Sequence, residues 1–306
     1  MKDRMKEYVE YHINGDADCN DVLLKKWADD NNLSQQERYD LAYFFAITYS
    51  IPSGIILLKE KDLMLQDIDK WVAENKSKLI FQSDRKYVRM LDNFNGCIKF
   101  YKDNLQSVEA FLCGITAGKT LIIEKALQKV EKWFFFGRFS AFLFLETFTA
   151  LTDFAIENTT IDWKNGDTAT SGLMNLFGLD NSANYFDKTG KIPDNLDYNK
   201  MNNMLLITLK EIKKHGGDDN VTGVETSLCA YRKFFKGSRY NGFYLDRMLE
   251  EIIAIKKFNP KYSQMADDLL RLRKSLFNEK YLGELNNWNG IRKDCKKLYK
   301  EKGVVL

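Results

Sequence analysis

The stretch from Trp133 to Leu151, Trp-Phe-Phe-Phe-Gly-Arg-Phe-Ser-Ala-Phe-Leu-Phe-Leu-Glu-Thr-Phe-Thr-Ala-Leu, constrains the fold more than any other part of the chain. It is apolar on nearly every side and about as long as a membrane span. Arg138, Ser140 and Glu146 interrupt it, so it holds no charge-free run of the length that a span needs. The remaining solution is a central helix buried on all sides by other elements. A charge inside such a helix must be paired, because isolated burial is expensive. Arg138 and Glu146 therefore call for partners from elsewhere, and the arginines and acids of 222–247 are candidates.

The surrounding elements must be mostly helical. The 306 residues contain only three prolines, at positions 52, 193 and 260, which permits long uninterrupted helices. A polar helix opens the chain and a second short one follows around Val22–Ala28. Ser34-Gln-Gln-Glu37 is a capping box that introduces a helix through Tyr49, and Pro52 stops it. The segments 66–78, 83–93 and 106–114 continue the helical pattern. Residues 119–133 predict another helix. Residues 158–200 are rich in Gly, Ser, Thr and Asn and read as loop, with one short helix near Leu173–Phe177. Helices follow from Asp197 to about Lys214, around 262–275 and around 289–302. The fold class is mainly α: a single large helical domain with a loop-rich insertion around 158–200. Residues 1–80 form an N-terminal helical region. Residues 81–306 form a helical core with basic C-terminal helices, and the two can also be one continuous domain.

Charge and cysteine content narrow the class. The hydrophobic fraction of 44% with 29% charged residues marks a soluble globular protein. The net charge is +3. Residues 201–306 carry 21 Lys/Arg and 13 Asp/Glu, a balance of +8, so 1–200 carry 3 − 8 = −5. A basic C-terminal third suits a polyanion, although solvated lysine faces give the same count. The five cysteines include no CxxC pair, and with a charged N-terminus they indicate a cytoplasmic location with free thiols. Two histidines exclude a histidine-rich metal site. Asp16-x-Asp18-x-Asn20 begins like a calcium loop, but the sixth position is Asp21 and the twelfth Trp27. Gly114-Ile-Thr-Ala-Gly118-Lys119-Thr120 resembles a P-loop with one residue too few and no strand before it. Its glycines read as a helix end.

The stretch 222–247 concentrates groups fit for chemistry. Glu225, Cys229, Arg232 and Lys236 recur at helical spacing on one face, with Leu228 and Tyr231 on another. A glycine turn then supplies Arg239 and Tyr240, and the next helix opens with Tyr244, Asp246 and Arg247. Guanidinium forks suit phosphate and carboxylate, so the hairpin offers a site for an anion with carboxylates beside it. Structural roles are open to the same residues. Thr222-x-x-Glu225 is a capping box, Asp246 lies in a first turn, and Arg247 can pair with Glu250 or Glu251.

Several motifs in order carry a family resemblance. They are Phe136-Gly-Arg-Phe-Ser-Ala-Phe142 with Leu145-Glu146, Ser171-Gly-Leu173 before Leu176-Phe-Gly178, Glu225-Thr-Ser-Leu-Cys-Ala-Tyr-Arg232, Arg239-Tyr240 and Asp246-Arg247. Together they resemble the phage amino-acid:DNA transferases of the α-glutamyl/putrescinyl thymine pyrophosphorylase group, over roughly residues 85–250. The resemblance implies an enzyme of thymine hypermodification. Its substrate would be DNA in which 5-hydroxymethyluracil has been pyrophosphorylated, and an amine such as that of glycine, or a polyamine, would displace the pyrophosphate. It would act in the cytoplasm of a bacteriophage host.

The residue types fit that chemistry. Departing pyrophosphate gains charge, and Arg138, Arg232, Arg239 and Arg247 would surround it, with Ser140 and Ser171 as further substrate contacts. The attacking amine must be neutral, and Glu225, Glu146 and Asp246 would hold and deprotonate its ammonium, in that order of preference. Cys229 would permit a covalent adduct, but a free cysteine is more often packing. Reaching the methylene in a closed pocket requires extruding the base, and Tyr231, Tyr240 and Tyr244 could stack on it. No resident cofactor or dedicated metal site is expected, although a divalent metal such as magnesium could arrive with the pyrophosphate. Two other classes compete. One is a non-catalytic helical DNA- or protein-binding module, with the arginines as phosphate contacts or ion pairs. The other is a helical DNA glycosylase, for which Gly237-Ser-Arg-Tyr-Asn-Gly242 is a poor hairpin match.

Overall fold

A computed structural model describes residues 2–13, 17–82, 85, 87–164, 166–179, 196–235 and 242–277. In chain order its elements are α1 (Lys2–Ile13), α2 (Cys19–Asp30), α3 (Gln35–Thr48), α4 (Ile51–Lys59), α5 (Lys61–Gln66), α6 (Ile68–Asn75), α7 (Leu91–Asn104), α8 (Val108–Leu112), β1 (Thr116–Ala117), β2 (Thr120–Ile122), α9 (Ile123–Val130), α10 (Arg138–Leu151), β3 (Ala155–Glu157), α11 (Asp167–Leu176), α12 (Tyr198–Lys214), α13 (Val221–Phe235), α14 (Phe243–Phe258) and α15 (Ser263–Leu276). The fold is mainly α, as the proline count and helical periodicity predict.

Several boundaries follow from local chemistry. The Ser34 hydroxyl accepts from the Glu37 amide, and the Glu37 carboxylate accepts from the Ser34 amide at 2.8 Å, which completes the capping box of α3. That helix ends at Tyr49, whose φ of 53° is left-handed, and Pro52 sits in the first turn of α4 where its missing N–H costs nothing. Asp197 caps α12 through the Lys200 amide.

Four expectations need correction. The helix expected over 83–93 lies instead at Leu91–Asn104, despite a glycine at position 96. The helix expected over 119–133 begins only at Ile123, because Thr120–Ile122 pair as a strand with β1 and with β3. Gly114, left-handed, follows directly on the end of α8 as expected, whereas Gly118 is a left-handed residue of the β1–β2 turn rather than part of a helix end. In the loop-rich 158–200 region, Asp167–Leu176 is a ten-residue helix, longer than the short helix expected near 173–177. Its Thr, Ser and Gly residues are weak helix formers, so burial of Ala169–Leu176 sustains it. The helix expected around 289–302 lies outside the described residues.

The chain forms two compact units, each built from separated stretches. One comprises Met1–Cys19, Asn158–Leu245 and Phe277–Gly283; the other comprises Asn20–Glu157, Asp246–Leu276 and Glu284–Leu306. In the first, α1, α11, α12 and α13 pack on one another. In the second, α3 packs on α4 and α10, and its core is aromatic. The ring of Tyr39 meets Phe111, Phe144 and Phe148 at centroid distances of 5.2, 5.8 and 6.1 Å, and Tyr43 stacks on Phe136 at 5.5 Å. Edge-on and offset contacts of this kind add to the area they bury.

The apolar stretch is less enclosed than its composition predicts. Trp133–Gly137 is not helical, and Phe135 turns the chain at a φ of 61°. Phe139, on α10 itself, is 52% exposed. The helix is buried along the faces that carry Leu145, Phe144, Phe148 and Leu151 and open along another.

Candidate functional site

In the first unit the polar groups gather along α13. The helix is capped by Asn220, whose side chain accepts from the Thr222 amide at 3.0 Å, so the cap lies two residues before the Thr222 expected. Glu225 lies beyond the first turn of the helix, and it is buried. A β-carbon on Gly166 would come within 3.5 Å of its Oε1, so the carboxyl lies against bare backbone at the start of α11. One turn along, Gly172 of α11 crosses α13 so closely that a β-carbon there would lie 2.2 Å from the Leu228 carbonyl oxygen. The Ser171-Gly-Leu173 and Glu225–Arg232 motifs thus meet at a backbone contact, which explains why they occur together.

The same helix holds a buried neutral network that sequence reasoning missed. Tyr8 Oη lies 2.7 Å and His12 Nδ1 2.9 Å from Ser227 Oγ. His12 Nε2 lies 2.8 Å from the Asp218 carbonyl oxygen, which can only accept. The proton therefore sits on Nε2, and Nδ1 accepts from Ser227. Burial holds the His12 imidazole below its ordinary pKa, against the opposing pull of Asp218, and raises the Tyr8 phenol. Both groups are neutral near pH 7. Tyr231 is also buried and donates to Glu7 at 3.1 Å. Ser171 is buried. Arg232 is half-buried, and its Nε is enclosed with no hydrogen-bond partner among the described residues.

The second unit gathers charge. Asp246 and Arg247 open α14 and are 1% and 4% exposed. Arg273 Nη2 of α15 approaches Asp246 Oδ1 at 3.8 Å, and Arg247 Nε approaches Glu251 Oε1 at 3.5 Å. The Arg247 guanidinium lies over the Tyr49 ring, 4.6 Å from its centroid. The Arg85 guanidinium lies 5.9 Å from the same ring and 4.8 Å from the centre of Phe139. Arg85 Nε is fixed by the Ala46 carbonyl at 2.7 Å. The Gln82 side-chain amide donates to Glu251, and the Gln82 backbone is held by Thr48. Burial raises the Glu251 carboxyl to about 8; the Arg247 charge and the nearby Ser50 hydroxyl work against the rise, and Glu250 adds to it. Cations and aromatic rings thus alternate from buried Arg247 through Tyr49 and Arg85 to exposed Phe139. Such a ladder can hold an anion and a planar ring, with a carboxyl beside it able to exchange a proton near neutrality.

The remaining expected residues on α10 also belong to this unit. Arg138 opens the helix and faces Glu131 at 3.8 Å, so a partner comes from the end of α9. Ser140 is buried. Glu146 is half-buried and stands beside Thr147, which donates to Asp21 at 2.8 Å. Burial raises the Asp21 carboxyl to about 7, opposed by that bond. Asp246 and Arg247 are brought into one cluster with Glu251, while Glu225, Arg232, Ser171 and Tyr231 lie in the first unit. Tyr244 is buried against Phe243. Arg239 and Tyr240 lie outside the described residues. No group of three or more His, Cys, Asp or Glu among the described residues is arranged to hold a metal ion. No helix among them is long and apolar enough to cross a membrane.

A family model for amino acid:DNA transferases matches residues 4–240 of the chain. No curated protein and no solved structure matches it.

Proposed function

Because the chain belongs to the amino acid:DNA transferase family, we propose that it replaces the pyrophosphate of 5-(pyrophosphoryloxymethyl)uracil in DNA with an amine such as that of glycine. The amine nitrogen attacks the exocyclic methylene carbon. The bond from that carbon to the bridging oxygen breaks, and pyrophosphate leaves with the electron pair. The ammonium proton passes to a carboxylate before or during attack. In this reading Arg247 stabilises the leaving group, with Arg138, Arg232 and Arg239 as further cations. Glu225, Glu146 and Asp246 are the carboxylates assigned to the amine, and Ser140 and Ser171 support the substrate from buried positions.

The observation that most supports the reading is the burial of Arg247 between the Tyr49 ring and Glu251. Burying two guanidiniums, Arg247 and Arg273, with three neighbouring carboxyls, Asp246, Glu250 and Glu251, costs more than an apolar core of the same volume. A preorganised cation in a water-poor site is what a developing anion requires.

The test is direct. The protein is incubated with DNA containing pyrophosphorylated 5-hydroxymethyluracil and a mixture of glycine, glutamate and putrescine. The DNA is then digested, and the nucleosides are read by mass. A new amine-bearing nucleoside with pyrophosphate released in equal amount supports the proposal and names the amine. Intact substrate in the presence of magnesium, with DNA binding shown separately, replaces it with a binding module.

A further inference from the structure

Three features outside the assigned residues hold polar or aromatic groups in unusual positions: the Tyr8–Ser227–His12 network, the Asp21–Thr147 contact and the exposed end of the cation–aromatic ladder. The first is fully enclosed, and its donors and acceptors match. The second is a single bond on the flank of α10. The third presents an aromatic surface outward at the edge of buried charge, and it carries an inference.

Phe139 lies between Arg138 and Ser140, inside the motif that opens α10, yet it is not a core residue. It is 52% exposed, in a helix whose neighbouring aromatics Phe144 and Phe148 are fully buried. An exposed phenylalanine is ordinary on its own. This one is held from behind. The Arg85 guanidinium lies 4.8 Å from its ring centre, and the Tyr49 ring meets it edge-on at 6.0 Å. Arg85 is anchored to the Ala46 carbonyl, and Tyr49 is fixed by its left-handed backbone and by Arg247. The ring is therefore braced on its inner side and open on its outer side. Bracing an aromatic with guanidinium planes produces a rigid stacking platform, and every nucleobase offers a flat face to it.

We infer that Phe139, backed by Arg85 and Tyr49, is the platform on which the target pyrimidine stacks after leaving the duplex. The inference rests on the reading of the protein as a modifier of a base in DNA. A base stacked there lies at the outer end of the ladder, so a 5-substituent directed inward along it runs toward Arg247. Phe139 touches the base, whereas Arg85 acts through Phe139 and is a positioning residue.

The experiment uses the full-length protein and duplexes with 2-aminopurine placed beside 5-hydroxymethyluracil, which lacks the leaving group. Extrusion of the modified base unstacks the 2-aminopurine and raises its fluorescence. The expected result is a rise with the wild-type protein that Phe139→Leu reduces about tenfold in affinity, and that Phe139→Trp retains. One aromatic contact on a base is worth about 1–3 kcal/mol, and tenfold lies within that range. Phe135→Leu, an exposed aromatic outside the ladder, keeps the full signal. Arg85→Met weakens the signal while DNA binding persists. Circular dichroism and thermal unfolding establish that each variant is folded.

The outcomes separate the two proposals. If the fluorescence response depends on Phe139 but no amine is transferred to pyrophosphorylated DNA, the platform stands and the reaction assignment falls. If a folded Phe139→Leu transfers amine with unchanged KM and gives the wild-type fluorescence, the platform is wrong and the reaction stands. An equal loss in Phe135→Leu overturns the platform as well, because the effect would then belong to the whole aromatic surface.

Discussion

Ser227 and Glu251 are both buried polar side chains, one in each compact unit, and they are accommodated by different means. Ser227 sits among neutral partners, Tyr8 and His12, and its one hydroxyl proton goes to the His12 imidazole. Glu251 sits beside a guanidinium, a side-chain amide and a second carboxyl. A neutral network of matched donors and acceptors contributes modest net stability and fixes how α1 meets α13. A buried charge cluster is a weak source of stability, and an apolar replacement of equal volume often does as well. The difference teaches where to look for chemistry. The Ser227 network accounts for itself as architecture, whereas the Arg247–Glu251 cluster is explained better by what it can hold.

The comparison can be broken most directly at Arg247. Arg247→Ala is expected to lower amine transfer on the order of 10²–10³-fold, the usual cost of removing a group that stabilises developing charge. A steady-state rate within threefold of wild type would put the two clusters on the same structural footing. The corresponding blow to the other unit is Gly172→Ala. A β-carbon 2.2 Å from the Leu228 carbonyl forces α11 away from α13, at a cost of about 3 kcal/mol in denaturant unfolding. Gly118→Ala serves as the control. That glycine has a φ of 61° but open space around it, so about 1 kcal/mol is expected. Equal losses at the two glycines would contradict the close crossing.

pH sharpens the contrast because the two clusters carry opposite signs. His12 has a folded pKa below its ordinary 6.5, so the unfolded chain takes up the proton more readily. Its contribution is present above pH 6.5 and is lost as pH falls through and below that value. Glu251 has a folded pKa of about 8 against an ordinary 4.5, so the folded chain holds the proton more tightly. Its contribution is full below pH 4.5 and is lost as pH rises through 8. Each group changes stability by at most about 1.4 kcal/mol per pH unit. Urea unfolding across the range is expected to lose in Glu251→Gln the decline between pH 7 and 8, beyond the reach of the Asp21 carboxyl raised to about 7, and to keep the acid decline. An alkaline decline that survives in Glu251→Gln would assign it to another group. The smallest effect is expected of Ser227→Ala, about 1 kcal/mol, from the polar partners it leaves behind. No change in Tm would show that Tyr8 and His12 find other partners at no cost.

The sequence made local structure legible and long-range chemistry hard to read. Ser34 with Glu37, Asp197 and Pro52 each announce a helix boundary through one side chain acting on nearby backbone. Asp246 and Arg247 could be singled out because they are adjacent in a helix start. Thr222 misled because Asn220, two residues earlier, makes the better cap. Gly96 lies inside α7, under the Phe134 ring, where a glycine is not a helix former. The loop-like composition of 167–176 hid a helix that only its packing sustains. The ladder left no local trace, since residues 49, 85, 139 and 247 come from distant parts of the chain. An aromatic in an apolar run reads as core, and the exposure of Phe139 is set by neighbours that the run does not contain.

One consequence follows from the small sheet. β2 pairs with β3 in parallel, with Thr120, Leu121 and Ile122 aligned to Ala155, Ile156 and Glu157. The two strands bracket α9, the Phe134–Phe135 turn and α10, so a loop on the order of thirty residues is pinched shut at its base. The entropic cost of bringing its ends together is met once, during folding, and grows only slowly with loop length. Phe139 therefore stands on a closed ring of chain rather than on a free arm, and an incoming base finds its partner already in place.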